Sequence, residues 1–169
     1  MKKETKVYII VISLVFVTLL SFPSTLFILD ATTGDVYSNS YYAEWGKMYS
    51  RLKEEKGKKI VFLGNSAVAF GIDSKLIQDE LKVDGFDYEA INFGLYGTLG
   101  TKFMLDSSLN HIQKNDIVII MPEEYPQSMS LYDNKTEQWK AFEGKREAYW
   151  EVPFDEKTSY LKGYIDYVV

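Results

Sequence analysis

Cysteine is absent from this 169-residue chain, and histidine occurs once, at His111. The first absence excludes disulfides and thiol chemistry. With a single histidine, little is left from which to build a zinc site. No basic patch interleaved with aromatics is present either. From Asp30 onward the chain carries 16 basic and 23 acidic residues, a net −7, so nucleic acid is not an expected partner. Internal repeats and low-complexity tracts are missing, and nothing in the pattern calls for a cofactor.

What is present begins with a long apolar run. Lys2, Lys3 and Lys6 precede 23 uncharged residues from Val7 to Leu29. At about 1.5 Å per residue, a helix over that run spans a hydrocarbon core of about 30 Å. Basic residues ahead of it favour a cytoplasmic N-terminus, with everything after Asp30 outside the cytoplasm. A cleaved signal peptide is the competing reading. Its apolar region is usually about 7–15 residues and ends in a small-x-small site. Phe22-Pro23-Ser24-Thr25 offers no such site, so an uncleaved single-pass anchor in the cell membrane is the expectation. The domain organisation that follows is 1–6 cytoplasmic, 7–29 transmembrane, 30–57 a juxtamembrane helix region and 58–169 an α/β domain.

Tyr41, Trp45, Met48, Tyr49 and Leu52 recur at i, i+4, i+7, i+8 and i+11, one face of a helix stopped near Gly57. That face either packs on the domain or forms an aromatic collar at the membrane surface. Lys58–Leu63 reads as a strand covered on both faces. Asp73 or Ser74 caps a helix to about Lys82, Asp84-Gly85 turns, and Tyr88–Phe93 is a second strand. Thr98–Gln113 reads as a further helix, Lys114-Asn115-Asp116 as a turn and Ile117–Met121 as a third strand. This alternation predicts parallel βαβ units in the order 2-1-3, a three-layer flavodoxin-like sheet. From Ser128 the pattern is unclear. Tyr164–Val169 is either a fourth strand or the start of a further element.

Three loops leave the carboxyl ends of these strands, where open α/β sheets place their ligands. They are Gly64-Asn65-Ser66, Asn92-Phe93-Gly94-Leu95-Tyr96-Gly97 and Pro122-Glu123-Glu124-Tyr125. Ser66 reads as a placed nucleophile, needing a base and backbone N–H donors for an oxyanion. Gly97 lets its N–H approach a substrate closely. The plainer reading of Asn65 and Ser66 is that they satisfy loop N–H groups, and of Asn92 that it pins its loop. Glu123 and Glu124 read as a solvated loop end or, less simply, as a base or metal ligand, and Tyr125 as a group that orients Glu124. His111, near a helix C-terminus and at the other end of the sheet, reads as an end-of-helix histidine.

Gly64-Asn65-Ser66 followed by Gly71-Ile72-Asp73, then Asn92-x-Gly-x-x-Gly97, then a strand ending in Pro-Glu-x-Tyr, resembles the SGNH (GDSL-type) hydrolase superfamily. More narrowly, it resembles the membrane-anchored branch associated with bacterial cell-surface polysaccharide genes. The resemblance covers Lys58 to about Gln127. It implies that Ser66 is the nucleophile and that the N–H groups of Ser66 and Gly97 line the oxyanion hole. Asn65 and Asn92 fall within the matching blocks, while Glu123, Glu124 and Tyr125 are candidate substrate contacts only by their place at the third strand end. Two departures stand out: Pro122-Glu123-Glu124-Tyr125 replaces the family's Gly-x-Asn-Asp block, and Asp166 is followed at Val169 by no histidine, so the Asp-x-x-His block that supplies the base is missing. The expectation is an incomplete sheet in a truncated member. Its activity would be ester hydrolysis or acyl transfer on a cell-envelope polysaccharide, if the chain is complete or a partner completes it. The alternatives are an inactive SGNH-like domain binding a glycan, an envelope partner or a polysaccharide-biosynthesis protein, and a flavodoxin-like module binding an anion at a helix N-terminus.

Overall fold

The computed structural model describes residues 5–18, 36–122 and 133–168. They fall into two units, one reaching Val36 and joined by the end of the chain, the other Tyr37–Tyr167. In the first unit, residues 5–18 form helix α1, whose apolar side chains, Val7, Ile9, Ile12 and Phe16 among them, are exposed. Among the described residues no helix is long and apolar enough to cross a membrane. Positions 19–29 of the expected anchor lie outside the described residues.

The second unit is α/β. Its elements run α2 (Ala43–Glu54), β1 (Lys59–Gly64), α3 (Ser66–Gly71), α4 (Ser74–Val83), β2 (Glu89–Gly94), α5 (Thr101–Ser108), β3 (Ile117–Met121), α6 (Lys135–Phe142), α7 (Ala148–Glu151) and α8 (Lys157–Val168). The three strands are parallel in the order β2-β1-β3. That is the order expected of right-handed crossovers. β1 is central and buried along its whole length, as an unbroken apolar run predicts.

Alternate residues of the sheet feed two cores, as the two-residue period of a strand requires. Val61, Leu63, Ile91 and Phe93 face the larger one, with Trp45, Tyr49 and Leu52 of α2, Phe103 of α5, Phe142 of α6 and Tyr160 of α8. Ile60, Phe62 and Ala90 face a smaller one closed by Val68 of α3 and flanked by Ile77 and Leu81 of α4. The 41/45/48/49/52 face therefore packs on the sheet. α2 belongs to the same unit as the strands.

The start of the sheet is tied by charge. Lys59 Nζ meets Asp116 Oδ2 at 2.9 Å with both side chains buried. Asp116 also accepts the N–H groups of Lys59 at 3.1 Å and Gln113 at 2.7 Å. Burial works to raise the Asp116 pKa, but the Gln113 and Lys59 hydrogen bonds and the lysine charge outweigh it and hold the carboxyl below its ordinary range.

Three expectations are corrected. The helix predicted over Thr98–Gln113 is broken. A 3-10 turn, Gly97–Leu99, precedes Gly100, whose φ of +80° interrupts helical geometry, and a second 3-10 turn, Leu109–His111, follows α5. The tail is not a fourth strand. Up to Val168 it is the end of α8, because Tyr160 and Gly163 turn the same face of that helix inward. A Cβ on Gly163 would sit 2.4 Å from Lys135 Cβ, so α8 crosses α6 at very close range. Finally, a helix begins at Ser66 itself rather than only at Asp73.

Candidate functional site

The site grows from two glycines. Gly64 ends β1, and a Cβ there would lie 2.4 Å from Val68 Cγ2 and 2.7 Å from the Met121 carbonyl oxygen. Gly94 ends β2, directly beside Gly64 in register, and a Cβ there would lie 2.7 Å from Ala69 N and from Val68 Cβ. Neither position holds a side chain without displacing backbone. Their bareness lets α3 sit directly on the ends of the strands.

α3 is then anchored at both ends. Asn65 caps its start, its Oδ1 accepting the Ala67 N–H at 2.8 Å. Asn92 closes its end. Its Nδ2 donates to the carbonyls of Val68 at 3.0 Å, Ala69 at 3.2 Å and Ile72 at 2.9 Å, while its Oδ1 accepts the Gly94 N–H at 3.1 Å. These bonds occupy the amide of Asn92 at both ends, so it holds the frame of the site. Both asparagines are thus positioning residues in the plain physical sense.

Ser66 is the first residue of α3 and is exposed. It stands at the carboxyl end of the central strand, as the strand-to-helix reading requires. No described residue hydrogen-bonds its Oγ. Gly97 opens the 3-10 turn beyond β2, and the loop that carries it starts beside β1 through the Leu95 N–H to Gly64 carbonyl bond of 3.3 Å. Against the other flank of α3 lies a cleft of about 460 Å³, lined by Asn65, Ala67, Gly71, Ile72, Met121 and Pro122. Glu123, Glu124 and Tyr125 lie outside the described residues.

His111 belongs elsewhere. It sits in the turn leading into β3, so the parallel sheet separates it from the β1 end that carries Ser66. It is not a surface histidine. Nε2 lies 3.0 Å from Tyr49 Oη and 3.0 Å from Glu151 Oε2, and its ring meets the Tyr49 ring edge-on at 5.0 Å. Burial lowers the His111 pKa. Glu151 opposes that shift, while Lys53 and Lys56 add to it. The carboxylate does not prevail because it also pairs with Lys53 at 2.8 Å.

The sequence reading overlooked a row of aromatics beside α3. Phe70 stacks on Tyr41 with centroids 5.6 Å apart and an interplanar angle of 11°. Tyr41 meets Tyr96 edge-on at 4.5 Å, Tyr96 meets Tyr42 at 4.9 Å, and Tyr42 meets Tyr37 at 5.6 Å. The available signal was Phe70, four residues after Ser66 on a helix too short to bury it.

No protein-family model, curated protein or solved structure matches this chain. Among the described residues, no group of three or more metal-binding side chains is assembled. What is assembled is an exposed hydroxyl on a rigid strand end, a glycine loop beside it and a cleft on its flank.

Proposed function

We propose that this chain is a membrane-anchored, extracytoplasmic SGNH-like protein of flavodoxin-like architecture, acting by ester hydrolysis or acyl transfer on a cell-envelope polysaccharide. One observation carries the reading: Ser66 stands exposed at the carboxyl end of the central strand, on a helix that Gly64, Gly94, Asn65 and Asn92 exist to hold there. In the proposed reaction Ser66 Oγ attacks the acyl carbon and gives up its proton to a base. The oxyanion is held by the N–H groups of Ser66 and Gly97, and the sugar alcohol leaves with that proton. Water or a second hydroxyl then takes the acyl group. The candidate base is Glu123 or Glu124, which follow Pro122 in the sequence and lie outside the described residues. The 7–29 run is the proposed anchor.

A serine-directed fluorophosphonate should label the full chain in membranes, and Ser66→Ala should abolish the label. Unchanged labelling of the variant sinks the nucleophile.

A second reading, glycan binding without turnover, is favoured by one fact. The only histidine is engaged with Tyr49 and Glu151, away from Ser66. It predicts no labelling of the native chain but retention of glycan that survives Ser66→Ala.

A further inference from the structure

The rings beside α3 form a continuous row in the order Phe70, Tyr41, Tyr96, Tyr42, Tyr37. Phe70 is 78% exposed and Tyr96 36% exposed. Contiguous exposed apolar surface of this kind, rimmed by polar groups, is a mark of an interaction site. Three separate segments supply the row: the residues leading into α2, the end of α3 and the loop before Gly97. It therefore flanks both proposed catalytic loops at once.

Beside Tyr42, near the end of the row, lies a polar cleft of about 670 Å³, lined among others by Thr98, Asn134, Glu137, Ser159, Lys162 and Asp166. The two surfaces join at shared residues. The Tyr42 hydroxyl donates to Glu137, which lines the cleft together with Thr98. Lys140 stands over the Tyr37 and Tyr42 rings at 5.2 and 5.5 Å and pairs with Glu137 at 2.5 Å. Burial raises the Tyr41 and Tyr42 phenols, with Tyr96 and Glu44 adding to the first and Glu137 to the second, so both remain neutral at physiological pH.

We propose that the Phe70–Tyr41–Tyr96–Tyr42–Tyr37 row and the cleft at its end are a binding groove for a neutral oligosaccharide, with sugar rings on the aromatics and hydroxyls in the cleft. Exposed ring area at Phe70 and Tyr96, bordered by hydroxyl, amide, ammonium and carboxylate groups, suits a ring whose faces are C–H and whose edge is O–H. A lipid tail has no use for four phenols and a mixed-charge cleft. Nucleobase stacking is disfavoured by the −5 charge of the chain, and among the described residues Lys140 is the one cation over the rings of the row, where it is already paired with Glu137. The proposal deepens the catalytic reading by giving the polysaccharide a subsite, and it rests on that reading only for the idea that the bound glycan is the substrate.

The test is titration of the detergent-solubilised full chain with two neutral hexasaccharides, chitohexaose and cellohexaose, followed by tyrosine and tryptophan fluorescence and calorimetry. At least one should bind, with ten-fold or greater weakening in Phe70→Ala and in Tyr96→Ala and little change in Phe70→Trp. Lys162→Ala, an exposed position in the cleft, should weaken binding of the hexasaccharide more than that of the corresponding disaccharide, chitobiose or cellobiose. Unaltered melting temperatures of the variants exclude misfolding as the cause. Failure of both sugars to bind the native chain, equal binding by all variants, or binding of phosphatidylglycerol vesicles in place of sugar overturns the proposal. Serine labelling separates the two readings. Sugar binding without labelling removes the catalytic reading and leaves the groove, whereas labelling without sugar binding removes the groove alone.

Discussion

Single residues fix the site by what they omit as much as by what they offer. Gly64 and Gly94 contribute no side chain, and that absence seats α3 on the strand ends. Gly94→Ala should destabilise the chain by about 1–3 kcal/mol, the usual cost of overpacking a rigid contact. Since the clash is with the backbone of Ala69, the same variant should lose fluorophosphonate labelling at Ser66 out of proportion to its stability. Urea unfolding and labelling measured on one preparation check this; a variant of native stability and native labelling contradicts the seating role. Asn92 shows how a motif residue can matter without touching a substrate. Three carbonyls at the end of α3 share its one amide nitrogen.

Among the elements, α2, the turn before β3 and α7 meet through His111, Tyr49 and Glu151. Burial keeps the imidazole neutral in the folded chain by lowering its pKa, while the unfolded chain takes up a proton at the ordinary value of 6.5. Between those two values the unfolded state holds more protons, so stability rises with pH there. The contribution is present above about pH 6.5 and is lost as the pH falls through the lowered value. Lys53, held above its ordinary value by Glu151, and Glu151, held against burial below its own by Lys53 and Tyr49, both stay charged across this window. Urea midpoints measured from pH 7.5 to 5 should fall for the native chain and fall less for His111→Gln, which keeps a donor without titrating. Parallel curves for the two proteins would contradict this account. The same meeting of elements explains why His111 reads differently in sequence and in space. Its position at the end of a helical stretch was visible, but the Tyr49 and Glu151 that bury it come from 62 residues before and 40 after.

At the scale of the whole molecule, the sheet is lopsided. β1 is buried on both faces, but β3, the edge beyond it, leaves Ile117, Ile119, Ile120 and Met121 between 36% and 44% exposed. An apolar edge with unpaired N–H and C=O groups invites another strand. Ile119→Lys should therefore raise the concentration at which the protein stays monodisperse, while costing little stability. Light scattering across a concentration series checks it, and self-association that is indifferent to the lysine would place the sticky surface elsewhere. The sequence by itself determined the strands, their parallel order, the turns at Gly85 and Asn115 and the strand-end place of Ser66. These are local decisions: apolar runs of strand length, a glycine or asparagine where φ is positive, and crossovers of one hand. Tertiary structure alone decided the rest. Residues after 133 carry no clear pattern, and they become α6, α7 and α8 because Phe142, Ala148 and Tyr160 complete the core begun by Trp45. The row from Phe70 to Tyr37 was equally illegible, because residues from 37 to 96 become neighbours only when β1 and β2 pair and bring their loops together.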